Sequence, residues 1–297
     1  MTDYSILRGT GVALVTPFTA SGSPDLPALG NVIDHVLKGG VEYLVSLGTT
    51  GETPVLNPDE QKAILQFTYA HVAGRVPVVV GIGGNNTQEL LHALKTYPLD
   101  HATAILSASP YYSKPSQEGI IAHYHALADA APKPIILYNI PGRTGRNMTA
   151  ATTVTLARHD NIIGIKEAAG DMVQGMQIVR DTPDDFLVLS GDDALTLAQI
   201  ASGFDGVISV IANAMPAEFS QLVRAALSGD MQKARQLNFA LLEAYDILFA
   251  ENNPAGIKAF LHHLNLIENH LRMPLVPLSK PVVERMESFF QHYKQQF

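Results

Sequence analysis

A lysine and a tyrosine, each at the end of a short apolar segment, are the residues best suited to chemistry. Tyr138 ends the segment 134–138, Lys166 ends the segment 162–166, and one predicted helix separates them. Because a strand, a helix and a second strand in sequence place the strands side by side, both residues should lie at neighbouring carboxyl ends. Burial there lowers the pKa of a lysine, and a neutral amine can attack a ketone to form a Schiff base.

An isolated lysine in this position would be expected to reach solvent and pair with a surface carboxylate. The neighbouring phenol changes that expectation, because tyrosine can both donate and accept a proton. We therefore predict that Lys166 is a nucleophile and that Tyr138 transfers protons beside it.

Three further motifs could contact a substrate. The GTTGE segment at 48–52 follows a predicted strand and offers amides and hydroxyls to a small ligand, or it is a loop with a helix-capping threonine. The SGDD segment at 190–193 places two carboxylates where barrels bind phosphate, which predicts an unphosphorylated substrate. Those aspartates could hold a metal, or one could cap the next helix. Arg143 could bind a substrate carboxylate or form a surface ion pair.

The histidines and one glycine-rich segment bear on whether the site uses a metal or a nucleotide cofactor, and the tyrosine pair bears on whether it includes an interface. Tyr111 and Tyr112 follow the fourth predicted strand and could serve either an interface or catalysis. None of the eleven histidines ends a predicted strand, so the lysine route is favoured over a metal centre. The GIGGNN segment at 81–86 lacks the lysine of a phosphate-binding loop, and no nucleotide cofactor is expected.

Strands and helices alternate from the start of the chain to about residue 210. The predicted strands are 11–18, 43–47, 77–82, 102–107, 134–138, 162–166, 186–190 and 206–210. Such alternation indicates a parallel sheet in an α/β protein, and a closed (β/α)8 TIM barrel over residues 1–215 is favoured. An open doubly wound sheet is the alternative, since periodicity does not reveal closure. Residues 216–297 contain only helical patterns and are predicted to form a C-terminal helical extension without chemistry of its own.

The composition limits the possible partners and compartments. The formal net charge of -8 argues against nucleic acid and anionic membranes as partners. No apolar run approaches the ~18 residues of a membrane span. The first ten residues lack the pattern of a secretory signal, so a cytoplasmic protein is expected. The absence of cysteine excludes disulfides and thiolate metal sites.

Four motifs together resemble the dihydrodipicolinate synthase and N-acetylneuraminate lyase family. They are GTTGE at 48–52, YY at 111–112, YNIPGRT at 138–144 and GIKE at 164–167. The resemblance implies a (β/α)8 barrel with a helical extension, pyruvate bound to Lys166 as a Schiff base, and no separate cofactor. The threonine pair Thr49-Thr50 and the Arg143-Thr144 pair look like the dihydrodipicolinate synthase branch. That branch condenses pyruvate with L-aspartate 4-semialdehyde to 4-hydroxy-tetrahydrodipicolinate, the first committed step toward diaminopimelate and lysine.

The resemblance also implies a role for each site residue. The Tyr138 hydroxyl would be held by Thr49 and by Tyr112, and Tyr112 would reach into the site of a neighbouring subunit in a homodimer or homotetramer. The substrate-binding residues would be Thr50 for the pyruvate carboxylate, Arg143 for the semialdehyde carboxylate, and Gly191 and Ile208 through their backbones.

A regulatory pocket is implied in the same way. Lysine-sensitive members of the family bind lysine at a subunit interface, and Asn85, Glu89 and Tyr111 stand at matching positions. The sensitive bacterial pattern has histidines where this chain has Pro58 and Gln61. Proline has no side-chain donor and glutamine carries no charge, so we expect weak feedback inhibition.

Two rival functions share these residues. One is another pyruvate lyase of the family, acting on N-acetylneuraminate or a 2-keto-3-deoxy sugar acid; such lyases generally lack an arginine at the position of Arg143. The other is a non-catalytic barrel that binds a keto acid, against which the combination of Lys166 and Tyr138 argues.

Overall fold

The computed structural model describes residues 4–296, so residues 1–3 and 297, at the outer ends of the two predicted domains, lie outside the described residues. Eight strands form one closed parallel barrel, in which each strand pairs with the next and the last with the first. The predicted barrel is confirmed, and the alternative of an open sheet is wrong. The strands are β1 (Gly9–Ala13), β2 (Tyr43–Ser46), β3 (Val78–Gly81), β4 (Ala104–Ala108), β5 (Ile135–Asn139), β6 (Ile162–Glu167), β7 (Leu187–Ser190) and β8 (Gly206–Ser209).

The strands are almost entirely buried because both of their faces are covered. Alternate side chains point into the barrel, where Val79, Leu106, Ile136 and Leu189 belong to one packed cluster. The intervening side chains pack against the surrounding helices in a second, larger cluster. Continuous apolar segments rather than alternating ones are therefore the correct signal for these strands.

The first strand differs from its predicted bounds. The prediction was 11–18, whereas β1 ends at Ala13, and the apolar residues after it leave the ladder. They remain buried, and Phe18 forms an isolated antiparallel bridge with Pro24. A buried loop and a buried strand give the same apolar signal, which explains the error.

Helices connect the strands and are also the regular elements that follow β8. They are α1 (Leu26–Lys38), α2 (Pro58–Val72), α3 (Thr87–Thr96), α4 (Gln117–Ala130), α5 (Pro141–Thr144), α6 (Ala150–Leu156), α7 (Met172–Asp181), α8 (Thr196–Ala201), α9 (Pro216–Leu227), α10 (Met231–Phe249), α11 (Ala255–His263) and α12 (Lys280–Gln296). Side chains fix several starts: Asn57 and Glu60 form a reciprocal capping box at α2. None of the helices among residues 4–296 combines the length and apolar character needed to cross a membrane.

Helices are the only regular elements described after β8, and a non-helical segment, 264–279, separates α11 from α12. Helix α9 packs against β1 and α1, and α10 packs against α9, α11 and α12. The extension is thereby attached to the barrel beside its first strand and its first helix. The boundary between residues 215 and 216 stays a prediction.

Candidate active site

Lys166 and Tyr138 lie directly beside each other at the carboxyl ends of β6 and β5. The register of the two strands pairs these residues, and the Lys166 Nζ lies 4.4 Å from the centroid of the Tyr138 ring. Each residue is 5% exposed. Because successive strand residues point to opposite faces, both side chains project into the barrel. The amine and the phenol predicted from the strand ends therefore share one wall of the interior.

The next residue of each strand points outward and forms a polar network behind this wall. The Asn139 amide donates to the Glu167 carboxylate at 3.0 Å and 3.1 Å, and the Gln174 amide donates to it at 3.1 Å. The backbone N–H of Met148 donates to Asn139 at 2.9 Å. Burial raises the pKa of Glu167, and the bond from Asn139 opposes that rise. The network fixes β5, β6 and the segment between them, which carries Arg143.

A cavity of about 890 Å³ opens at this end of the barrel. Most of the residues that were predicted to touch substrate line it: Thr49, Thr50, Tyr138, Arg143, Lys166 and Gly191. Glu89 and Tyr111, two of the predicted regulatory residues, line the same cavity. The loops that follow β2, β4, β5 and β7 thus converge on one space with the end of β6.

Two residues of the C-terminal part connect the predicted substrate-binding residues. Thr50 lies in a one-turn helix after β2, is 2% exposed and accepts a hydrogen bond from the Asn253 amide at 2.9 Å. The Arg143 guanidinium donates to the Asn252 side chain and to the Asn253 carbonyl, both at 3.2 Å. Their asparagine-asparagine-proline sequence is typical of a turn and gives no sign of a substrate contact, so the prediction of an extension without chemistry missed these contacts.

Three predicted residues are not brought to the cavity of the single chain. Tyr112 is 87% exposed and lies outside the cavity lining. Ile208 is buried inside the barrel on β8, and Asn85 is exposed in the loop after β3. The roles that the resemblance implies for them stay predictions.

The two neighbouring aspartates after β7 accept hydrogen bonds from backbone N–H groups. Asp192 accepts from the N–H groups of Ala194 and Leu195. Asp193 is buried and accepts from the N–H groups of Val210 and Ile211, which follow β8 directly. Burial raises the pKa of Asp193 to about 6. Within residues 4–296, no cluster of three or more histidine, aspartate or glutamate side chains could hold a metal ion.

A buried ion pair lies next to the Thr49–Gly51 turn. Glu52 follows that turn and pairs with Lys258 of α11, and both side chains are fully buried. Burial lowers the pKa of Lys258 to about 8, and the Glu52 carboxylate opposes this shift. The pair was not predicted, because its members are distant in sequence and neither motif indicates the other.

Comparisons with known proteins agree with this geometry. A model of the dihydrodipicolinate synthetase family matches residues 6–293. A 4-hydroxy-tetrahydrodipicolinate synthase of Azobacteroides pseudotrichonymphae is 48% identical over 292 residues, which cover 98% of this chain and 99% of that protein.

Solved structures are similar over the same length. The crystal structure of dihydrodipicolinate synthase from Thermotoga maritima has a TM-score of 0.95 and 38% identity, covering 97% of this chain and 99% of that one. A monomeric dihydrodipicolinate synthase variant matches with the same TM-score of 0.95 and 38% identity, over 98% of each chain. The chain therefore belongs to the dihydrodipicolinate synthetase family.

Proposed function

We propose that the protein is a 4-hydroxy-tetrahydrodipicolinate synthase, a lyase of diaminopimelate and lysine biosynthesis. Its substrates are pyruvate and L-aspartate 4-semialdehyde. The observation that carries the proposal is the Lys166 amine, which lines the cavity beside the phenol of Tyr138. Family membership and the full-length synthase relatives support the same function.

The reaction begins with a covalent bond between Lys166 and pyruvate. The neutral amine attacks the keto carbon, and loss of water leaves a protonated imine. The imine withdraws electrons from the methyl carbon, so that carbon loses a proton and an enamine forms. Lys166 itself supplies the electron sink in this mechanism, and no separate cofactor is required.

The enamine then joins the two substrates. Its methylene carbon attacks the aldehyde carbon of the semialdehyde, and the resulting alkoxide takes up a proton. The amino group of the second substrate attacks the imine carbon and expels the Lys166 amine. The ring closes to 4-hydroxy-tetrahydrodipicolinate, and the enzyme returns to its starting form.

Carboxylate recognition orients both substrates. Thr50, with its hydroxyl and backbone amide, binds the pyruvate carboxylate. Arg143 binds the semialdehyde carboxylate, because a guanidinium fork matches two carboxylate oxygens. The position of both residues on the cavity wall, with Asn253 between them, supports these assignments. Gly191 and Ile208 contribute backbone contacts.

Proton transfer is assigned to Tyr138, whose hydroxyl is oriented by Thr49 on one side and by Tyr112 on the other. The exposure of Tyr112 in the single chain fits a residue that completes the site of a partner subunit. The active species is accordingly a homodimer, alone or within a homotetramer.

The decisive experiment combines an assay with trapping. Purified protein should condense pyruvate with L-aspartate 4-semialdehyde in an assay coupled to reduction of the product. Borohydride with pyruvate should add a reduced three-carbon unit to Lys166, and Lys166→Ala should abolish both results. Preference for an N-acetylmannosamine or sugar-acid aldehyde would instead identify another lyase of the family, and no adduct at Lys166 would contradict the mechanism.

A further inference from the structure

The ion pair between Glu52 and Lys258 closes a ring of contacts around the predicted pyruvate subsite. Thr50 and Glu52 are two residues apart, and Glu52 pairs with Lys258. One turn of α11 separates Lys258 from Pro254, whose carbonyl accepts the Lys258 N–H at 3.0 Å. Asn253 precedes that proline and donates back to Thr50 at 2.9 Å. The ring joins a barrel loop to the C-terminal extension through two contacts, the ion pair and the bond from Asn253 to Thr50.

Each charged group in this ring has a further contact besides its ion-pair partner. The Lys258 Nζ also donates to the His270 carbonyl at 2.9 Å and lies 4.1 Å from the centroid of the Phe18 ring. The second Glu52 oxygen accepts the backbone N–H of Arg272 at 3.1 Å. A buried charge is strongly destabilised when it leaves its partner. The pair therefore holds three chain segments together: the one that carries Glu52, helix α11, and the one that carries His270 and Arg272.

The backbone of Glu52 supports the same interpretation. Its φ of +55° lies in the left-handed region, which is costly for a residue with a Cβ. Such a conformation persists where the surrounding contacts determine it. Here those contacts are the ion pair and the bond from Arg272, and they set the direction in which the chain leaves the Thr49–Gly51 turn.

We propose that Glu52 and Lys258 are positioning residues for the pyruvate subsite. Their ion pair holds the Thr49–Gly51 turn against Asn253, so the Thr50 hydroxyl and amide face the carbon chain that is bonded to Lys166. Because the subsite is defined by the reaction proposed above, this inference rests on that function. The C-terminal extension is then part of the active site and not an attachment to it.

A purely structural ion pair would have a different signature. In that case a broken pair lowers the free energy of unfolding, but the protein that remains folded binds pyruvate normally. The Michaelis constant (KM) for pyruvate, measured well below the thermal midpoint, therefore separates positioning from general support.

Three pair variants and one control make the test. Glu52→Gln and Lys258→Met each leave a buried charge without its partner, and the double variant Glu52→Gln/Lys258→Met removes both charges. The control Glu60→Gln breaks the ion pair between Glu60 of α2 and the side chain of Arg272. This pair is less buried than that of Glu52 and Lys258 and does not include either of them. For each protein, the thermal midpoint, kcat and pyruvate KM are measured.

Positioning predicts that pyruvate KM rises about tenfold in both single variants, the factor expected from loss of one hydrogen bond to a charged group. In the double variant the thermal midpoint should recover, because no unpaired charge remains, while pyruvate KM stays high. Glu60→Gln should lower the midpoint and keep the wild-type KM.

The proposal is overturned if the single variants keep the wild-type KM, if KM recovers together with the midpoint in the double variant, or if Glu60→Gln raises KM equally. Should the single variants not fold, Glu52→Asp keeps both charges and withdraws the carboxylate by one methylene. It should still raise pyruvate KM, and an unchanged KM overturns the proposal. Borohydride trapping on wild type is the reference: a missing adduct there contradicts the proposed function, whereas a normal adduct with unaffected variants contradicts only the positioning role.

Discussion

At the residue scale, Gly191 shows how the absence of a side chain leaves space for the reactive lysine. A Cβ at this position would lie 2.6 Å from the Cβ of Ala168 and 3.0 Å from the Lys166 Cε. The backbone cannot withdraw easily, because the Gly191 N–H is bonded to the Glu167 carbonyl at 2.8 Å. An added side chain must therefore displace Ala168 and crowd the lysine.

We expect Gly191→Ala to slow formation of the pyruvate adduct at least about tenfold, since a small misplacement of a reacting group is costly. The measurement is the rate of borohydride trapping at Lys166. Gly142→Ala is the matched control, because a Cβ there meets nothing within 4 Å. Equal trapping rates in the two variants would show that the space at Gly191 is not needed by the lysine.

Some residues of the site are predictable from the sequence and others are not, for a physical reason. Lys166 and Tyr138 end apolar segments, and parallel topology brings such ends together whatever the loops do. The bond from Asn253 to Thr50 spans 203 residues, and the Glu52–Lys258 pair likewise joins distant segments. No local pattern marks these contacts, because they depend on how the extension packs.

At the element scale, the order and type of the strands were predictable and their ends were less so. Ladder pairing decides where a strand stops, and apolar composition does not report pairing. The segment after β1 is the clearest case, since it is buried without belonging to the sheet. The periodicity of the sequence also does not show that the barrel closes, because closure depends on the pairing of β8 with β1.

A buried histidine of α4, His123, contacts α3 and is expected to make the protein less stable in acid. His123 is 6% exposed, and its Nδ1 lies 2.8 Å from the Thr87 hydroxyl. Burial lowers the pKa of His123 to about 4, from an ordinary value of 6.5. Below pH 6.5 the unfolded chain therefore takes up a proton that the folded chain refuses until about pH 4, so stability falls as the pH drops through this window.

We expect acidification from pH 7 to 5 to cost wild type roughly 2 kcal/mol more of unfolding free energy than His123→Gln, whose amide does not titrate. Urea unfolding at both pH values provides the measurement. His101→Gln, at an exposed position, should behave like wild type. A parallel decline of wild type and His123→Gln would show that His123 does not cause the acid sensitivity.

At the scale of the whole molecule, two positions of the predicted regulatory pocket offer no free side-chain donor. The Gln61 amide donates to the carbonyls of Thr53 at 3.3 Å and Leu56 at 2.9 Å, and its oxygen accepts from the Tyr97 hydroxyl at 2.5 Å. Pro58 begins α2 and has no side-chain donor. Nothing at these two positions is free to bind the carboxylate of a lysine ligand.

We therefore expect half-inhibition by lysine only above about 1 mM, the range of weak binding. Initial rates across micromolar to tens of millimolar lysine give the value. The double variant Pro58→His/Gln61→His should be inhibited at lower lysine concentrations, while wild-type inhibition well below 1 mM would show that Asn85, Glu89 and Tyr111 suffice.

The strongest test of the proposed assembly concerns Tyr112. Its φ of +70° is strained for a bulky residue, and its side chain is 87% exposed in the single chain. A strained and exposed aromatic residue beside the cavity is explained if a second copy of the chain receives it. Tyr112 and Lys166 would then act in the same site while belonging to different chains.

Mixing inactive Tyr112→Phe and Lys166→Ala chains should restore about a quarter of wild-type activity, since half of randomly assorted dimers are mixed and each has one intact site. Differently tagged chains establish that subunits have exchanged. A mixture of Tyr138→Phe and Lys166→Ala must stay inactive, because one chain supplies both residues of a site. If exchange is complete and the first mixture is as inactive as the second, each chain forms its own site, and the exposure of Tyr112 must have another cause.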